Sequence, residues 1–181
     1  MRAPFYILVL FILPVVKSSA QQNEAKKIES YYFKKLYRIN DSVYRSEQPL
    51  KKGFRELETM GIKTILNLRR LRDDTRKAKG TGLHLEHLRL KSGEITEQDI
   101  IEALRLLKDA EKPVLIHCWH GSDRTGVVTA AYRIIFENWP KEKAIKEFML
   151  PEFGYHRNWY PNLLELLDQL NVSRIKKELG I

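Results

Sequence analysis

A single cysteine, Cys118, serves the whole chain of 181 residues. That excludes an intramolecular disulfide, and it argues against a dithiol redox centre, because an attacking thiol has no resolving partner in the chain. The fold must therefore stand on its apolar core. Long apolar runs are also scarce. The most prominent, Phe5 to Val16, is interrupted by Pro14 and falls short of the roughly 20 residues that a spanning helix needs. No cysteine stands at its end, so a lipid anchor of the bacterial lipoprotein kind is not expected. The chain has no internal repeat, low-complexity segment or Gly/Ser linker, and no long Lys/Arg run with interleaved aromatics. Nucleic acid is thus not an expected partner. The five histidines show no ligand spacing with carboxylates or Cys118, so neither a metal nor another cofactor is expected.

Arg2, the apolar run and Lys17-Ser18-Ser19-Ala20 ahead of Gln21 describe a secretory signal peptide over residues 1–20, with cleavage after Ala20. An uncleaved anchor is the competing reading. Cleavage predicts a periplasmic or secreted product, residues 21–181, with no membrane span. Loss of Arg2 and Lys17 takes the formal charge from +9 to +7, an excess that suits anionic substrates, an acidic surface or plain solubility. The remainder has the size of one compact domain and is expected to be monomeric. Its lone thiol is open to oxidation to sulfenic acid outside the cytosol.

Strand and helix patterns alternate. Leu36–Ile39 and Val43–Arg45 read as short strands, and Pro49 opens a helix that Gly61 stops. Ile62–Leu68 and Leu83–Leu90 read as strands. Thr96-Glu97-Gln98-Asp99 reads as a cap and first turn ahead of Ile100–Leu107. Pro113–Ile116 is a buried strand, and helices are expected over Thr125–Glu137, Lys141–Met149 and about Asn158–Leu170. The expected fold is α/β, with a central, mostly parallel sheet flanked by helices.

Residues 117–126 read His-Cys-Trp-His-Gly-Ser-Asp-Arg-Thr-Gly, between the Pro113–Ile116 strand and an apolar helix. A loop that ends at a helix N-terminus offers unpaired amides and a positive dipole end to an anion. Cys118 is the candidate nucleophile. Its reactive form is the thiolate, which helix amides and nearby positive charge favour. Arg124 supplies a planar fork for two phosphoryl oxygens. Gly121 lets the backbone turn inward, Gly126 lets the helix pack close to the strand, and Thr125 offers a hydroxyl to the sulfur. Ser122 completes the loop. His117 is placed to orient the loop rather than to take protons. Trp119 and His120 occupy variable positions that should line the pocket mouth, although tryptophan more often packs as core. Tyr155-His156-Arg157 and Trp159 are candidates for the rim.

The pattern His-Cys-x-x-Gly-x-x-Arg-Thr-Gly resembles the protein tyrosine phosphatase superfamily, in its small dual-specificity branch. From Val43-Tyr44-Arg45-Ser46 through Ala131-Tyr132-Arg133-Ile134 the chain is similar to exported bacterial tyrosine phosphatases of the biofilm-regulator type. The resemblance implies two-step hydrolysis, in which Cys118 takes the phosphoryl group and water releases it. It implies a phosphorylated protein as substrate, with inositol phosphates or phosphoinositides as the alternative.

The same resemblance implies a leaving-group acid on a loop upstream of the nucleophile. The corresponding segment, Leu90-Lys91-Ser92-Gly93-Glu94-Ile95, contains no aspartate. Glu94 is its one carboxylate, and Asp73 and Asp74 are more remote. Asp123, directly before Arg124, resembles the loop aspartate of myotubularin-type lipid phosphatases, which implies an acid role. The competing reading pairs Asp123 with Arg124 or a nearby amide. Sulfur transfer and plain phosphate binding are the other classes. Rhodanese loops do not require the Arg-Thr-Gly closure, and a binding module does not require an intact Cys118.

Overall fold

A computed structural model describes residues 24–181, so the signal-peptide reading falls outside the described residues. Among the described residues, six strands form one sheet: β1 (Lys26–Lys27), β2 (Tyr37–Arg38), β3 (Val43–Ser46), β4 (Thr64–Asn67), β5 (His84–His87) and β6 (Val114–His117). Their order is β1-β2-β3-β6-β4-β5. β3, β6, β4 and β5 run parallel, while β1, β2 and β3 pair antiparallel at one edge. Every residue of β4 and of β6 is buried. Strands covered on both faces read as apolar runs, and this burial explains their sequence.

The pleat sends neighbouring side chains into different cores. Leu115 and Ile65 join Phe54 and Leu57 of α1 (Lys51–Thr59) and Ala78 of α2 (Thr75–Ala78). Val114, Ile116 and Leu66 join the larger core. That core packs against α3 (Glu97–Asp109), α4 (Asp123–Ile135), α5 (Lys141–Phe148), α6 (Asn162–Gln169) and α7 (Val172–Leu179). The expected mostly parallel sheet with helices on both faces is the one found. Among the described residues no helix is long and apolar enough to cross a membrane.

Thr96 caps α3 in a reciprocal box with Asp99, and α1 is followed by Gly61 in the left-handed region. Among the differences from expectation are two helix starts and one whole helix. α4 begins at Asp123 rather than Thr125, which places the aspartate in the first turn. The helix expected from Asn158 starts only at Asn162, because Pro161 disfavours helical backbone at Tyr160. α7 was not expected; it buries Ile175 and Leu179 and is capped by the Asn171 side chain. One buried ion pair fastens α4 to α5, with Arg133 Nε and Nη2 donating to the Glu147 carboxylate at 3.0 and 2.7 Å.

Candidate functional site

β6 ends at His117 and α4 starts at Asp123, so residues 118–122 form the whole connection. Cys118 is buried in it. Gly121 adopts φ +68° and passes directly against the end of β3. A Cβ there would stand 2.6 Å from the Glu47 amide nitrogen and 2.7 Å from the Ser46 carbonyl. Gly126 makes room in a different direction from the one expected. Its Cβ would meet the Phe148 ring of α5 at 2.4 Å, while the nearest atom of a strand residue is Arg45 Nη2, 3.6 Å away.

Arg124 is clamped by Nη1, which donates to the Leu68 and Leu90 carbonyls at 3.4 Å each. Its Nε and the Thr125 hydroxyl are buried without a hydrogen-bond partner among the described residues. Unpaired buried polar atoms are uncommon, and these two fall on the positions assigned to the anion and to the sulfur.

Two further cations hold the loop. Arg45, buried in β3, donates from Nη2 to the Gly121 carbonyl at 2.7 Å and lies 4.0 Å over the Phe153 ring. Burial lowers its pKa to about 10, against the opposing pull of Glu147 and Cys118, so it is still charged at neutral pH. Lys35 donates to the Ser122 hydroxyl at 3.2 Å and to the Phe153 carbonyl at 3.4 Å. Sequence reasoning gave neither residue a role. The available signal was an arginine set into a short apolar strand.

His117 is fully buried, with Nδ1 3.0 Å from the Cys118 carbonyl and Nε2 2.7 Å from Asp74. Gln48 donates to the other Asp74 oxygen at 2.8 Å, and Arg69 donates to Gln48 at 2.5 Å. Burial raises the Asp74 pKa, but the bond and charge of His117, with the Gln48 bond, outweigh it and leave the carboxyl below its ordinary value. Asp74 is therefore committed to His117.

Trp119 is 51% exposed and lies at the mouth rather than beneath the loop, with the Arg69 guanidinium 4.5 Å over its ring. It borders two recesses. One, of about 590 Å³, is lined by Arg69, Arg72, Arg76 and Lys77, with Asp73 and Leu71 beside them. The other, of about 350 Å³, includes Lys35, Glu47, His120, Ser122 and His156. Burial, then the charge of His156, hold the His120 pKa below its ordinary value while Asp123 opposes them. Asp123 is buried, and its carboxylate accepts from the His156 amide at 2.9 Å. The His156 Nδ1 stands 2.9 and 3.1 Å from the two carboxylate oxygens. Trp159 stacks on that imidazole, 5.3 Å between ring centroids. Glu94 is solvent-exposed and ion-paired with Lys91.

The pattern that defines the tyrosine phosphatase family matches residues 32–178. The dual specificity protein phosphatase TpbA of Pseudomonas aeruginosa is 33% identical over 122 residues, which are 66% of this chain and 55% of that one. The chain thus spans little more than half the length of these first curated relatives. An inositol diphosphatase of Arabidopsis thaliana is 25% identical over 154 residues, 77% of this chain and 71% of that one. The crystal structure of P. aeruginosa TpbA superposes with a TM-score of 0.77 at 25% identity, covering 87% of this chain and 97% of that one.

Proposed function

Because the chain belongs to the tyrosine phosphatase family, we propose that it is an exported phosphatase acting on phosphotyrosine, and on phosphoserine or phosphothreonine beside it. Hydrolysis runs through a phosphocysteine on Cys118. One observation carries this reading: the buried thiol lies on the 118–122 loop, and the Arg124 Nε and Thr125 hydroxyl, unpaired among the described residues, lie in the first turn of α4 that follows it. The Cys118 sulfur attacks phosphorus, the phosphorus–oxygen bond to the leaving group breaks, and Arg124 holds two equatorial oxygens as charge spreads over them. Water then attacks phosphorus, the phosphorus–sulfur bond breaks, and Thr125 steadies the departing thiolate.

A second reading keeps the chemistry and takes inositol phosphates or phosphoinositides. The recess with Arg69, Arg72, Arg76 and Lys77 favours it, since four cations face one carboxylate there. Phosphate release from a phosphotyrosine peptide, a phosphoserine peptide, inositol polyphosphates and phosphoinositides separates the two. Preference for the phosphotyrosine peptide supports the first reading, and preference for an inositol compound supports the second. Release that survives Cys118→Ser overturns both. Export is tested by the N-terminal sequence of the protein recovered outside the cytosol, which should begin at Gln21.

A further inference from the structure

The phosphatase reading leaves open the source of the proton for the leaving oxygen, and any assignment of that proton rests on the phosphatase reading. Glu94 is turned to solvent with Lys91, and Asp74 is buried on His117. Asp123 lies in the first turn of α4, but its carboxylate already receives the His156 amide and faces the His156 imidazole. That arrangement uses the carboxylate as an acceptor. The imidazole is held through Nδ1, and among the described residues its Nε2 makes no hydrogen bond. Trp159 stacks on one face of the ring at an interplanar angle of 15°. The ring lines the same recess as Trp119, His120 and Ser122 of the phosphate loop.

We infer that His156 protonates the leaving group, with Nε2 as the donor and Asp123 as the positioning residue that fixes the ring and offsets its charge. As Cys118 attacks, the electron pair of the breaking phosphorus–oxygen bond moves onto the leaving oxygen, which takes the Nε2 proton. Neutral His156 then accepts a proton from the water that attacks the phosphocysteine, and the imidazolium and thiolate are restored. The segment after α5 thereby supplies the group that is missing from the 90–95 loop. The charged and titratable groups around the ring are Asp123 of α4, His120 of the loop, Lys34 and Lys35 before β2, and Glu47 after β3, with Tyr155 and Arg157 adjoining it in the chain.

The test compares His156→Gln with the native protein on two esters. Phosphotyrosine releases a phenol of pKa about 10, which needs the proton; p-nitrophenyl phosphate releases a far more acidic phenol, which needs it much less. The readout is kcat/KM, which reports the attack on phosphorus and not the later hydrolysis that both esters share; the expected loss is about 10²–10⁴-fold on phosphotyrosine and less than about tenfold on the nitrophenyl ester. His156→Asn, with a melting curve for each variant, separates this from misfolding, and both variants keep the backbone amide that Asp123 accepts. Equal losses in kcat/KM on both esters overturn the inference and leave the phosphatase reading intact. So does a selective loss in Asp123→Asn with His156→Gln unimpaired, which would make Asp123 itself the acid. Native protein without Cys118-dependent turnover of either ester overturns the phosphatase reading, and the inference with it.

Discussion

Replacing Gly121 by alanine tests how the phosphate loop is seated. The new Cβ would lie 2.6 Å from the Glu47 nitrogen, whereas ordinary contact begins near 3.4 Å. The loop and the end of β3 must therefore part by about 0.8 Å, and both sides of the contact are backbone. Left-handed φ costs an L-residue roughly 1–2 kcal/mol, and forced separation of packed groups adds roughly 1–3 kcal/mol. Gly61→Ala is the control: its φ is +85° and a Cβ there meets nothing within 4 Å. Urea unfolding should give roughly 1–2 kcal/mol of destabilisation for the control and roughly 2–5 kcal/mol for Gly121→Ala. The slope with urea should not change. A displacement near 1 Å at the reacting groups costs on the order of 10²-fold in rate, so kcat on p-nitrophenyl phosphate should fall by about that factor in Gly121→Ala alone. Equal destabilisation in the two variants, or full turnover in Gly121→Ala, would refute the backbone-on-backbone seating of the loop.

Asp74→Asn should remove a pH-dependent part of stability. The folded carboxyl titrates below its unfolded value of about 3.9, so its contribution is complete above about pH 4 and is lost as the pH falls through the folded value. Urea unfolding between pH 7 and pH 3 should show the variant weaker at neutrality, with the two curves converging in acid. Arg133→Met leaves Glu147, 7% exposed, without the guanidinium that pairs with it. The expected loss is about 3–5 kcal/mol, read as a fall in Tm of roughly 6–20 °C. Glu94→Gln removes an exposed carboxylate paired with Lys91 and should leave kcat on phosphotyrosine within about twofold of native, against the 10²-fold or more that loss of a general acid costs.

The phosphate loop was legible because its chemistry is local. A cysteine, an arginine and glycines at fixed offsets mark the junction of an apolar strand and an apolar helix, and the Cys118–Ser122 connection with the first turn of α4 is that junction. β4 and β6 were legible because strands buried on both faces are apolar throughout. β1 and α2 were missed because each is short, and α7 was missed although it packs on α3 and α4. The exposure of Trp119 was left open, since composition alone favours burial of tryptophan.

By itself the sequence determined the α/β class, the strand–loop–helix connection around Cys118, and the absence of an aspartate from the 90–95 segment. Only the tertiary structure decided what surrounds them. Arg45 reaches the Gly121 carbonyl across 76 residues of chain, Asp74 reaches His117 across 43, and His156 reaches Asp123 across 33. Spacing along a chain reports neighbours within a turn or a strand. Contacts between strand ends, loop and C-terminal segment depend on sheet order and on which side chains are buried together, and these exist only once the chain has folded.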